Sequence, residues 1–285
     1  MQAPTEIGGL SAAGDTTLGM GEKNIHRLRV VVGEPWKEAL LCAMAPYAPY
    51  RAWDAPDALE PGDVAFVVLD TEPQTVLCAV RAGESLRHAI AANCDDHRGS
   101  LPTVAQMEQQ TGVALGDADG QPRTSAAARA LLRFAEEYDV SKPADRTGDS
   151  SAAAARILLQ SAGRCECCRE LVVLDTTTPE EVIIHTVTAE DFAGRTDWPA
   201  LLCAQCDAAM KAGGFSSVVD FMFSREPACP ACGAHRTSTV SYGMPTYDWA
   251  MNMPTWVSGG GCCVGELGKW QCGQCGHNWG ELEPW

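Results

Sequence analysis

The sequence predicts an α+β protein in which a mixed strand–helix block precedes two cysteine-stapled modules. Three observations predict it. Apolar runs of strand character, LRVVVG (28–33), VAFVVLD (64–70) and TVLCAVRAG (75–83), alternate with segments of helical period. Eight of the 14 cysteines fall in four C-x-x-C pairs, all in the second half of the chain. A polar stretch with Pro, Gly and Ser, DVSKPADRTGDSS (139–151), separates the first block from those pairs.

Taken in chain order, residues 1–26 are rich in Gly, Ala and Thr and read as a disordered tail. They show neither the basic start nor the apolar run of a secretion signal, so the expected compartment is the cytoplasm. The first domain spans 27–138. Its helix PWKEALLCAM (35–44) opens with Pro35 in the first turn, and a Pro-rich loop covers 45–63. Helical period returns at 103–112 and 124–138, the second with Thr124 as its expected N-cap. Residues 139–151 are the linker. The second module, 152–226, starts with the helix AAAARILLQSAG, stopped by Gly163. Two β-rich runs follow, LVVLD and EVIIHTV, then an acidic loop, a helix after Cys203 and a last helix in FSSVVDFMFS. The third module is 227–285.

Charge limits the partners. Only 21 Lys and Arg stand against 37 Asp and Glu, a formal net charge of −16. Non-specific DNA binding draws on phosphate neutralisation by basic residues, so a nucleic-acid surface here is a local patch on an acidic body. No run approaches the ~18 apolar residues of a membrane helix, and no membrane partner is expected.

The cysteine pairs read as metal sites of a reducing compartment rather than as a disulfide framework. CPACG (229–233) and CGQCGH (272–277) each carry Gly directly after the second Cys. A zinc knuckle doubles back on itself, and Gly supplies the left-handed residue this requires. With 39 residues between them, Cys229, Cys232, Cys272 and Cys275 are the expected ligands of one Zn2+ in a zinc ribbon. His277 lies just outside and reads as a hydrogen-bonding or surface residue. The stretch between the knuckles contains Tyr242–Pro245 and Gly260–Cys262, and it resembles a small bacterial zinc-ribbon family with YG-x-P and GGC elements. The ribbon aromatics Tyr242, Tyr247, Trp249, Trp256, Trp270 and Trp279 read as a miniature core. In the second module Cys165 and Cys168 pair with Cys203 and Cys206 across 34 residues. Whether Cys167 replaces Cys168 stays open at this point.

The order helix, knuckle, β-hairpin, loop, knuckle at a helix start resembles the treble clef of HNH endonucleases. The resemblance implies a hairpin His as general base, a neighbouring carboxylate on a divalent metal, a loop Asn and a His or Asn after the last Cys. VIIHTVTAEDFAGRTDWPALLCAQCDAAMK keeps His185 at the base position. Ile184 replaces the carboxylate, Trp198 stands where the Asn is expected, and Asp207 follows Cys206 as a possible Mg2+ ligand. Asp197, Asp191 or Glu190 are the candidates for a displaced carboxylate.

Residues 28–83 resemble PUA/EVE-like β-barrels through PWKEALL (35–41), RAWDAP (51–56) and LEPGDVAFVVLD (59–70). That resemblance implies a pocket for a nucleobase, often a modified one, with Trp36, Tyr47, Tyr50, Arg51 and Trp53 as its candidate residues. A base-reading domain joined to an HNH-like module is the layout of modification-dependent restriction enzymes. Three functions follow as expectations. The first is a two-zinc protein that recognises DNA or a modified nucleotide on a degenerate HNH-type scaffold, in phage defence or genome surveillance. The second is an active HNH-type endonuclease using His185 and Asp207. The third is an acidic protein–protein interaction module, binding a protein partner.

Overall fold

The computed structural model describes residues 26–45, 47, 53–54, 59–82, 90–91, 101–138, 145–244, 253–262 and 268–281. The expected tail, residues 139–144 of the linker, and the pocket candidates Tyr50 and Arg51 lie outside the described residues, apart from His26 at the end of the tail.

The front block is built on a β-α-β unit. Strand β1 (Leu28–Gly33) runs parallel to β3 (Val64–Leu69), with Leu28 opposite Val64 and Gly33 opposite Leu69. Helix α1 (Trp36–Met44) lies between them in the chain. A two-residue strand β2 (Trp53–Asp54) pairs antiparallel on β1, and β4 (Thr75–Arg81) pairs antiparallel on β3. The sheet order is β2-β1-β3-β4 and the sheet is open. The β-barrel expected of this block is therefore not what its described strands form. The reason lies in β3: VAFVVL is buried at all six positions, the pattern of a strand covered on both faces.

Two helical layers supply that cover. On one face Val31, Val67 and Leu69 pack with Leu40 and Leu41 of α1. On the other, Leu28, Phe66 and Val68 pack with Met107, Leu131 and Phe134. Those come from α2 (Val104–Thr111) and α4 (Ala126–Glu137), with the single-turn α3 (Leu115–Ala118) between them. Helix α2 starts in a capping box, Thr103 Oγ1 accepting from the Gln106 amide while Gln106 Oε1 accepts from that of Thr103. The N-cap of α4 is Ser125 rather than the expected Thr124. Its Oγ accepts from the Ala128 amide at 3.1 Å, which starts the helix one residue later.

The first core extends beyond the front block. Ala155, Leu158 and Leu159 of α5 (Ser151–Gln160), with Val173, Val182 and Leu201, belong to the same buried cluster as α1 and the sheet. The segment leading into α5 is tied down accordingly. Ser151 Oγ accepts from the Glu72 amide, and Arg156 donates to the carbonyls of Leu101 and Asp145.

The second module pairs its strands differently from the expected hairpin of neighbouring runs. LVVLD makes only an isolated bridge, Arg164 with Leu171. Instead β5 (Ile183–His185) pairs antiparallel with β6 (Ala200–Leu202), across a loop that carries α6 (Ala189–Gly194). Helices α7 (Ala204–Ala212) and α8 (Val218–Ser224) complete the module. The ribbon forms a second open sheet, order β10-β9-β7-β8, from β7 (Thr237–Ser241), β8 (Val257–Gly259), β9 (Trp270–Cys272) and β10 (Asn278–Trp279). Trp256 anchors it, packing edge-on against Trp198 at 5.9 Å inside the second module's core. Among the described residues no helix is long and apolar enough to cross a membrane.

Candidate metal centres and the His185 site

Two groups of four thiols converge in space. Cys165, Cys168, Cys203 and Cys206 form one, and Cys229, Cys232, Cys272 and Cys275 the other, each with its sulfurs within 4.8 Å of one another. Sulfurs placed ~2.3 Å from a tetrahedral ion lie roughly 3.8 Å apart. The Sγ separations are 3.8 Å for Cys168–Cys203, and 3.7 Å for both Cys229–Cys275 and Cys232–Cys272. That spacing fits a tetrahedral thiolate site and is far too long for a disulfide of ~2.05 Å. Zinc in either would have four protein ligands and no open position.

The local chain explains why the thiols meet. In the ribbon, Gly233 and Gly276 adopt φ of 74° and 73°, and their amides donate to the Cys229 and Cys272 carbonyls. In the inner cluster the same left-handed position is held by Arg169, φ 64°, whose amide donates to the Cys165 carbonyl. Its side chain meets Glu166 at 3.0 Å. The second inner knuckle is a helix start: Cys203 is the N-cap of α7, its sulfur accepting from the Cys206 amide at 3.4 Å.

Cys167 stands outside the four. Its thiol donates to Cys165, which draws Cys165 down to about 3 and pushes Cys167 well above the usual thiol range. In the ribbon, the amides of Cys275 and Gln274 hold Cys272 down to about 6 against burial. Each cluster thus contains a cysteine disposed to be thiolate, the form that binds metal.

His185 ends β5, and its Nε2 lies 2.7 Å from Asp197 Oδ2. Asp197 Oδ1 accepts from the amides of Trp198 and Val218, both at 2.8 Å. Burial works against the Asp197 charge, yet the bonds from His185 and the two amides hold its carboxyl below the usual range. Of the three displaced carboxylates considered from sequence, Asp197 is the one that reaches His185. Asp191 instead bonds Thr188 and Thr196 at the start of α6. The register, His185 opposite Ala200, brings Asp197 back beside the histidine.

Arg146 is the residue that sequence reading missed, because it sits in the polar segment taken as linker. Its guanidinium lies 5.5 Å from the Phe192 ring centroid and 5.4 Å from that of Trp198. Only the tertiary contact marks it.

The other candidates are placed as follows. Asp207 forms an ion pair with Lys211 at 2.7 Å, one turn along α7. Among the described residues, the two cysteine clusters are the only groups of three or more metal-ligating side chains, so Asp207 and His185 do not share one. Ile184 packs against the first core, and Trp198 fills the second. In the front block Trp36 and Trp53 pack against the first core, whereas Tyr47 is 75% exposed. The Trp53 ring lies flat enough on β1 that a Cβ on Gly33 would fall 2.6 Å from it. Its buried Nε1 has no acceptor among the described residues. His277 stacks on Trp279 at 5.7 Å and stays outside the ribbon cluster.

No family model, curated protein or solved structure matches this chain.

Proposed function

We propose that the protein is a two-zinc recognition scaffold, in which an HNH-like treble clef is retained for shape. Zn2+ in each cluster would hold its module together, and the front block would take a nucleobase or modified nucleotide, alone or within DNA, in phage defence or genome surveillance. The sulfur spacing of the two clusters carries the zinc reading. Two features support the loss of cleavage chemistry: the residue before His185 is an isoleucine, and Asp207 is engaged by Lys211. The indole N–H of Trp53, which has no acceptor among the described residues, supports a ligand at the front block. Metal analysis of the purified chain should return two zinc ions per chain. Short oligonucleotides with and without modified bases, titrated at low salt, test the recognition part, and Trp53→Ala should abolish the binding. If no oligonucleotide binds, that part fails while the zinc reading stands.

A second reading, an HNH-type endonuclease, is favoured by one observation. A half-buried histidine oriented by a carboxylate is the arrangement of a general base. Mg2+-dependent cleavage of DNA that disappears in His185→Ala would establish it and remove the scaffold reading.

A further inference from the structure

The edge of the front sheet carries a cavity that none of the zinc or histidine features uses. Strand β4 is the last strand of the sheet, and between it and α4 lies a space of about 220 Å3. Its apolar walls include Val76 and Val80 of β4 and Leu132 and Phe134 of α4. An apolar cavity of about 150 Å3 is large enough for benzene, so this one takes a ring or short chain with a polar substituent. Arg81 and Glu136 line it and are exposed, so it reaches solvent.

The charges on its lining run against the rest of the molecule. Arg81 and Arg123 both line the cavity, and Glu136 is the single acid that does so among the described residues. Neither arginine enters an ion pair among the described residues. With two arginines and one acid, the lining carries a net positive charge in a chain of 37 acids to 21 bases. Both are held by backbone contacts. Arg81 is paired with Val64 in the ladder, and the Arg123 amide donates to the His26 carbonyl at 2.8 Å.

We propose that this cavity binds a small organic anion, its apolar body between β4 and α4 and its acidic group on Arg81 and Arg123. Guanidinium groups recognise a carboxylate through paired N–H donors. Placing that contact at the solvent-reaching side spares the ligand the cost of a fully buried charge. The site is separate from both cysteine clusters and from His185, so it stands independently of the proposed scaffold role.

The test titrates the zinc-replete full chain with phenylacetate and with its neutral isostere phenylacetamide, by calorimetry. Phenylacetate should bind with one-to-one saturation and about fivefold or more tighter than the amide. Arg123→Gln and Arg81→Gln should each weaken phenylacetate about threefold or more and leave the amide unchanged. Ala135→Phe, which adds a ring to the cavity wall, should abolish binding of both. Zinc content and the urea midpoint report whether each variant is folded. Equal affinity for acid and amide would overturn the proposal, as would unchanged phenylacetate binding in both arginine variants. Failure of phenylacetate to saturate by ~10 mM would also overturn it.

Discussion

The two cysteine clusters share a spacing and differ in everything around it. In the inner cluster Cys165 and Cys206 are buried, and they sit within the same apolar cluster as Trp198, Met210 and Phe221. One of its knuckles is the start of α7, and Leu201 and Leu202, immediately before Cys203, belong to the two neighbouring cores. In the ribbon cluster Cys232 and Cys275 are exposed, and the knuckles are bare turns closed by glycines. The same four thiols are thus a core component in one place and a surface clip in the other. A metal at the first site would be coupled to the folding of most of the molecule; at the second, to one small sheet.

Removing an inner ligand should therefore have the largest effect. Cys206→Ser is expected to lower the zinc content to one per chain and to abolish cooperative urea unfolding of the front block and the second module together. Structural zinc contributes about 10–16 kcal/mol in small metal-folded domains, comparable to a whole domain's stability. Cys275→Ser is expected to remove one zinc and leave the main unfolding transition in place. Equal damage from the two substitutions, measured by metal analysis and urea melts, would erase the distinction.

The contact that joins the ribbon to the second module comes next. Trp256 is almost fully buried against Trp198, and Trp256→Ala should cost about 3–5 kcal/mol. Urea melts check the loss, and limited proteolysis should then release the ribbon first.

Asp197 gives a smaller effect with a sign that depends on pH. Asp197→Ala leaves the Val218 and Trp198 amides and His185 without their acceptor, an expected loss of about 1–3 kcal/mol. Because the native carboxyl is held low, its ionic contribution is complete above the unfolded value of ~3.9. It is lost as pH falls through the lower native value. The stability gap between the parent and Asp197→Asn should therefore shrink as pH falls below about 4, read from urea midpoints. A gap that stays unchanged as pH falls from about 5 to about 2 would show that the native carboxyl is not held low.

The smallest effect is expected at Lys211. Its ion pair with Asp207 is an exposed i,i+4 contact, so Lys211→Ala should change stability by less than about 0.5 kcal/mol. A larger loss by thermal melt would mean that Asp207 matters to the inner knuckle more than its partner suggests.

The α+β class, the strands at 28–33, 64–69 and 75–81, the long helices and both sets of cysteines were legible in the chain. Each of these is a local signal: period, turn residues, or ligand spacing that a metal geometry demands. The choice between Cys167 and Cys168 was not legible, because both lie within reach along the chain and only the packing turns one thiol toward Cys165 and the other toward Cys203. Nor was the pairing of β5 with β6. LVVLD has strand character and lies nearer, but Val173 is drawn into the first core with α5 and α1.

The sequence by itself determined where metal can be held and which runs are strands, since spacing and periodicity are properties of neighbouring residues. The tertiary structure decided what those pieces face. It made the front sheet open, with helices on both sides of β3, and joined α5 to that core across the expected linker. It also brought Asp197 to His185 and Arg146 to Trp198. Those are contacts between residues distant along the chain, set by how apolar faces bury one another, and no local pattern encodes them.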